Sequence, residues 1–319
     1  MSINLKTKQS MREAFGRALE ELGAKDSNVV ALDADLSGST QTKFFAKSFP
    51  ERFFDVGIAE QNLISTATGL AVAGKIPFAA TFAVFATGRT YDQIRNSVCY
   101  QKANVKIVGT HGGLTVGEDG ATHQSLEDIS LMRGLPNMTV IVPADAKECA
   151  EAVKFAYSHE GPVYIRVARA NVPDVFGADY VLENKVKSVV EGSDVAIITN
   201  GESLAICIEA AEILKTKGVN AKVVNVPFVK PLDKDGIIKS VQQTDVVVTV
   251  ENHSVIGGLG SAVCEVLGEF LPKRVVRLGV EDVFGQSGTP DALLKHYSLD
   301  SISVAERIKG IYDTVKSGN

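Results

Sequence analysis

Along the first half of the chain, short runs of β-branched and apolar residues alternate with longer stretches whose apolar positions recur every three to four residues. The runs Val29–Asp33, 52–56, 77–82, 105–110, 139–142 and Val163–Val167 predict strands, since brief apolar runs bounded by turn residues suit strands buried on both faces. Helical periodicity fills most of the gaps, at 12–22, 61–73, 91–101, 126–133 and Ala146–Ser158. The first of these helices is expected to stop at Gly23, because glycine favours the residue just past a helix end. From 168 to 192 the pattern lapses into scattered charge with Pro173 and Gly177, which predicts a linker. A second alternation follows, with strands at Val195–Thr199, 222–226, 246–250 and 275–278 and helices at 202–217, Lys234–Val241, Leu259–Phe270 and 303–315. Alternation of this kind predicts an α/β fold: parallel sheets covered by helices on both faces, in a larger domain over 1–185 and a smaller one over 186–319.

Composition narrows the function classes. The 319 residues are 45% hydrophobic and 22% charged, as in an ordinary globular protein. Lysine plus arginine total 33 against 38 aspartate plus glutamate, and a net charge of −5 offers no basic field to nucleic acid. Cys99, Cys149, Cys207 and Cys264 lie far apart, which fits buried thiols in a reducing compartment rather than a zinc knuckle or a CxxC pair. Residues 1–11 are polar, unlike a signal peptide. The longest apolar run, 76–86, contains Pro77 and is too short to span a bilayer. A soluble, cytoplasmic protein with no membrane partner is expected.

In open α/β sheets, ligands gather outside the carboxyl ends of the strands, so the loops after Ala31, Val56, Ala80 and Val108 carry the interest. The first runs Asp33-Ala34-Asp35-Leu36-Ser37-Gly38-Ser39-Thr40, carboxylates followed by hydroxyls. The second, Gly57-Ile58-Ala59-Glu60-Gln61-Asn62, places a lone carboxylate at the start of an apolar helix, where the simplest role is to meet the helix dipole. In the third, Phe82 and Phe85 lie three apart on a helical turn, a spacing that serves a core as readily as a platform. The fourth, Thr110 to Gln124, gathers His111, His123, Glu118, Asp119 and four glycines directly after a strand. Turns do not need imidazoles, so that loop reads as functional. His111, Asp119 and His123 lack the i, i+4 spacing of a helical zinc site, and no metal is assigned to this chain. Neither GxSxG nor GxxxxGK[ST] occurs, which removes the serine-elbow and P-loop readings. Gly257-Gly258-Leu259-Gly260 is expected to let a helix start pack close to a strand.

Taken together, Gly57-Ile58-Ala59-Glu60-Gln61-Asn62, Thr81-Phe82-Ala83-Val84-Phe85 with Asp92-Gln93-Ile94-Arg95, Gly117-Glu118-Asp119-Gly120-Ala121-Thr122-His123-Gln124, and Pro136-Asn137-Met138 resemble the pyrimidine-binding half of transketolase. Val250-Glu251-Asn252-His253 and Gly257-Gly258-Leu259-Gly260 resemble the transketolase C-terminal domain. The resemblance implies a thiamin diphosphate-binding fold and gives the segments roles. Glu60 matches the glutamate that hydrogen-bonds N1′ of the aminopyrimidine, Phe85 the ring that stacks on it, Phe82 a wall of the same pocket, and Asp35 a cofactor contact. His111, Asp119 and His123 match donor-sugar contacts, with Glu60, His111 and His123 forming the catalytic set. Arg12, Ser39 and Arg169 match a phosphate grip, a task suited to the planar fork of arginine.

There are departures. No Gly-Asp-Gly motif for Mg²⁺ and diphosphate occurs, and the chain starts close to Arg12, at the beginning of the pyrimidine domain. The resemblance therefore implies the C-terminal subunit of a two-polypeptide transketolase. An N-terminal partner would supply the Mg²⁺ and diphosphate ligands, in an α₂β₂ heterotetramer acting on sugar phosphates. The alternatives are half of an enzyme like deoxyxylulose phosphate synthase or the β subunit of 2-oxo acid dehydrogenase E1, or a non-catalytic regulatory subunit. His111 suits a hydroxylated donor better than pyruvate. Gly88 stands where many relatives keep a third aromatic, and His253 is expected to be a satisfied polar residue at a domain contact.

Overall fold

The computed structural model describes residues 5–317, so the part of the N-terminal reading that rests on residues 1–4 lies outside the described residues. A seven-stranded sheet runs, edge to edge, Phe228–Lys230, Thr139–Ile141, Val163–Val167, Lys106–Thr110, Ile76–Phe82, Val29–Asp33 and Phe53–Asp55. All its pairings are parallel except the first, where Phe228–Lys230 runs antiparallel to Thr139–Ile141. The central strands are buried almost throughout because helices cover both faces, while the edge strand Phe53–Asp55 is largely exposed. Register sets the loops at one edge: Asp33 lies opposite Ala80 and Asp55, and Thr110 opposite Phe82 and Val167. The loops bearing Asp35, Phe85, His111 and Arg169 thus leave from neighbouring strand ends. A small antiparallel pair, Lys8–Gln9 with Val172–Pro173, fastens the start of the Met11–Lys25 helix near Arg169.

The second sheet orders Val275–Val280, Val246–Ser254, Val195–Thr199, Ala221–Asn225 and Lys187–Val190, parallel except for the last strand. No described helix is long and apolar enough to cross a membrane. The four cysteines are free, and burial pushes the Cys99 thiol up to about 11, leaving it inert at neutral pH.

Several local expectations need correction. The first helix runs through Gly23 to Lys25, because Gly23 packs rather than caps: a Cβ there would lie 2.4 Å from the Phe45 ring. The helix expected over 91–101 holds α geometry only at Tyr91–Gln93 and then widens into a π-helical stretch at Ile94–Cys99. The 168–192 segment carries the edge strands Val172–Pro173 and Lys187–Val190. Short helices at Ser37–Thr40, Lys43–Ser48 and Pro290–His296 were not predicted.

Candidate active site

Glu60 opens the Glu60–Val72 helix at the carboxyl edge of the first sheet, just after Gly57, whose φ of +71° makes the turn. Asp55 Oδ1 accepts from the backbone N–H groups of Asp35 and Gly57, both at 2.9 Å, and so ties the first two loops together. The Glu60 carboxylate is only 5% exposed, and its Oε1 accepts from Arg89 Nη1 at 3.0 Å. Arg89 also places its Cζ 4.2 Å from the Phe85 ring centroid. It ends a π-helical turn, Phe85–Arg89; Thr87 within the turn and Thr90 just after it donate their hydroxyls to the carbonyls of Ala83 and Ala86 at 2.8 and 2.5 Å. Those hydroxyls occupy carbonyls that a widened turn leaves loosely paired. Ile58 to Asn62 and Arg89 line an open pocket over the carboxylate.

Next to Glu60 and Arg89 lies an aromatic cluster. Phe82 and Phe85 stack at 6.0 Å with planes 11° apart, and His111 lies 3.8 Å from Phe82, tilted by 24°. His123 meets Phe85 edge-on at 5.4 Å. His111 adopts a left-handed φ of +61°, uncommon for a non-glycine residue, and its Nδ1 lies 2.9 Å from Thr110 Oγ1. Burial, then the charges of Arg12, Arg169 and His123, push its imidazole down to about 3, so it is neutral at pH 7.

A second group converges on the same histidine. Arg12 Nη1 donates to the Ser39 carbonyl at 2.8 Å, while its Nε is buried and has no partner. Burial and the nearby Arg169 charge lower the Arg12 pKa. Arg169 pairs with Glu118 at 3.2 Å. Two arginines and an imidazole held close together, with a buried N–H unsatisfied, make a place where an anion is favoured. Asp35, with φ +62°, and Asp119 are exposed on their loops. The acid that organises the first loop is Asp33: it accepts from Leu36 N at 2.6 Å and from the Thr40 and Thr42 hydroxyls at 2.7 and 2.8 Å, and burial raises its pKa against those bonds.

The His111–His123 loop is held from the second half of the chain. Asn252 Oδ1 accepts from Leu114 N at 3.0 Å, and its Nδ2 donates to Glu202 Oε1 at 2.5 Å. Glu202 also accepts the Thr115 hydroxyl at 2.8 Å, and Gln124 Nε2 donates to the carbonyls of Leu114, Gly117 and Gln286. Arg89, Asn252 and Glu202 escape sequence reading as site residues; Arg89 closes the Thr81–Arg89 segment and Asn252 lies inside the Glu251-Asn252-His253 run, but neither position carries a role in the sequence reading. His253 differs from expectation. It lies beside Glu251, with Nδ1 2.7 Å from the Ser254 carbonyl, but its buried Nε2 has no partner. Glu251 accepts from the N–H groups of Leu259 and Gly260, and a Cβ on Gly258 would fall 2.1 Å from Glu251 Oε2, so this glycine run does let the helix start close in. Among the described residues, no three His, Cys, Asp or Glu side chains gather in a way that could hold a metal ion.

Comparison with known proteins agrees with this architecture. Residues 7–175 match the family described as "Transketolase, pyrimidine binding domain", and residues 184–304 match "Transketolase, C-terminal domain". A Methanocaldococcus jannaschii protein named for the C-terminal section of transketolase is 50% identical over 304 residues, 94% of this chain and 95% of its own length. The 1-deoxy-D-xylulose-5-phosphate synthase of Caldanaerobacter subterraneus is 41% identical over 312 residues, 97% of this chain but 50% of that protein. A solved structure titled "Split gene transketolase, inactive beta4 tetramer" superposes with a TM-score of 0.88 at 53% identity, covering 94% of this chain and 97% of that one.

Proposed function

The chain belongs to the transketolase family as its C-terminal half, and from that premise we propose that it is one subunit of a split transketolase moving a two-carbon ketol unit from a ketose phosphate, such as xylulose 5-phosphate, to an aldose phosphate. A separate N-terminal subunit supplies the Mg²⁺ and diphosphate ligands, in an α₂β₂ heterotetramer in the cytoplasm, within carbohydrate metabolism such as the pentose phosphate pathway. The observation that carries this reading is the buried Glu60 carboxylate opening onto a pocket beside the Phe85 ring. A carboxylate edge and an aromatic face suit the aminopyrimidine of thiamin diphosphate: Glu60 would hold a proton at N1′, Phe85 would lie against the ring, Phe82 would wall the pocket and Asp35 would contact the cofactor. When bound, thiamin diphosphate supplies a carbanion that can add to a sugar carbonyl and accept the electrons of the broken C–C bond.

The remaining residues of the site would bind and orient the sugar. Neutral His111, with His123 and Asp119, would hydrogen-bond the donor's hydroxyls and carbonyl. Arg12, Ser39 and Arg169 would grip its phosphate, and the unpartnered Arg12 Nε supports that role. The similarity to deoxyxylulose phosphate synthase keeps a second reading in view, in which pyruvate is the donor. The test is a ketol-transfer assay with the co-purified N-terminal partner, thiamin diphosphate and Mg²⁺. With an aldose phosphate as acceptor, xylulose 5-phosphate should be turned over, Glu60→Ala should abolish transfer by at least about a hundredfold without unfolding the chain, and pyruvate with the same acceptor should be inert. Unaltered turnover by Glu60→Ala contradicts the assigned role, and turnover of pyruvate with that acceptor hands the case to the second reading.

A further inference from the structure

Within this chain, one side chain already makes both contacts that Glu60 and Phe85 have to offer. Arg89 Nη1 donates to Glu60 Oε1 at 3.0 Å while its Cζ lies 4.2 Å from the Phe85 centroid. A guanidinium and an aminopyrimidine share the chemistry these two residues recognise: each is flat and delocalised, carries nitrogen donors along its edge, and presents a face that stacks on an aromatic ring. A carboxylate buried without a partner is costly, and Arg89 removes that cost when nothing else fills the pocket.

The setting of Arg89 suits a group that leaves. Its side chain is 53% exposed although its partner Glu60 is 5% exposed, so it reaches in from solvent rather than being locked in the core. Its backbone is anchored separately, since Gln61 Nε2 donates to the Arg89 carbonyl at 3.2 Å, leaving the side chain to swing alone. Gly88 beside it is exposed, and a Cβ there would meet nothing within 4 Å outside its chain neighbours, so that side of the turn is open.

The geometry points to Arg89 as an internal competitor for the pyrimidine site, pairing with Glu60 and covering Phe85 until an aminopyrimidine ring displaces it. This rests on the reading that Glu60 and Phe85 grip that ring. Arg89 then weakens cofactor binding by the worth of one half-exposed ion pair and one cation–π contact, about threefold to tenfold in affinity.

Calorimetric titration of thiamin diphosphate with Mg²⁺ into the complex of the full chain and its N-terminal partner tests this, comparing wild type, Arg89→Met and Arg89→Lys. Arg89→Met should bind about threefold to tenfold more tightly. Arg89→Lys, charged but not planar, should fall between it and wild type. Millimolar guanidinium chloride, against the same concentration of sodium chloride, should weaken binding to Arg89→Met back toward the wild-type value by refilling the vacated place. Equal or weaker binding by Arg89→Met, in a complex whose wild-type form binds, overturns the competitor role while leaving the pyrimidine site intact. Failure of the wild-type complex itself to bind overturns the site assignment and this inference with it.

Discussion

Replacing Glu148 by glutamine should flatten part of the pH dependence of stability. Glu148 lies in the Ala146–Ser158 helix with its carboxyl fully buried. Oε1 accepts from Tyr180 Oη at 2.5 Å and Asn225 Nδ2 at 2.9 Å, and Oε2 accepts from Ala144 N at 2.7 Å. The group therefore joins the first domain, the connecting segment and the second sheet. Burial pushes its carboxyl from 4.5 up to about 7 despite the Tyr180, Ala144 and Asn225 hydrogen bonds that oppose the shift. Between those two values the folded chain keeps a proton that the unfolded chain has lost. The stabilisation is complete below pH ~4.5 and is lost as pH rises through ~7, a swing of about 3 kcal/mol. Glutamine is neutral throughout, and Asn225 can turn its unpartnered Oδ1 toward the new amide. Urea unfolding followed by circular dichroism from pH 4.5 to 8 should find the two proteins alike at the acid end, with Glu148→Gln gaining about 3 kcal/mol over wild type by pH 8. Other titrating groups are common to both proteins and cancel in the difference. A wild-type-to-variant gap that stays constant across that range refutes the reasoning.

The ion pair between Arg166 Nε and Asp128 Oδ2, at 3.0 Å with side chains 6% and 0% exposed, makes Arg166→Met costly by about 3–5 kcal/mol, because Asp128 is left as a buried charge with only Tyr164 Oη to meet it. Adding Asp128→Asn should restore most of that loss in urea melts, and losses that simply add would count against the account. Gly113→Ala should lower stability by about 2 kcal/mol or more: φ is +81°, and the new Cβ would fall 2.5 Å from Asn252 Nδ2, in the bond that holds the His111–His123 loop. An unchanged melting temperature for this variant would show that the loop is not held there.

Most strands were legible because they are buried on both faces, so their apolar runs are continuous: Val29–Asp33, Val163–Val167 and Val195–Thr199 fall where the pattern places them. Two edge strands, Phe53–Asp55 and Val275–Val280, were legible as well, but Lys187–Val190 and Phe228–Lys230 were not, since they are short and owe their pairing to a neighbour rather than to their own pattern. The π-helical turns were invisible for another reason. The spacing of apolar residues at 91–101 fits an α-helix, and apolar periodicity does not distinguish an α-helical turn from a π-helical one over so short a stretch. His111 and His123 could be picked out because a turn has no need of imidazoles, whereas Glu60, Phe82 and Phe85, ordinary by themselves at a helix start or in a core, stood out only through the resemblance of their segments to the transketolase pyrimidine domain. Arg89 did not: an arginine followed by threonine and tyrosine looks like a solvated surface until the fold lays it across Glu60.

The strand at Phe228–Lys230 bears on how this protein can be recombined with its relatives. It comes from the second half of the chain yet closes the edge of the first sheet against Thr139–Ile141. Phe228 meets the Phe155 ring at 4.9 Å, and Lys230 Nζ donates to the Arg133 and Leu135 carbonyls. A chimaera spliced between residues 185 and 186, the seam that sequence alone suggests, would give the first module a foreign border strand. Grafts between homologues should instead carry Phe228–Lys230 with the Thr139–Ile141 segment it seals, or place the crossover beyond Pro231.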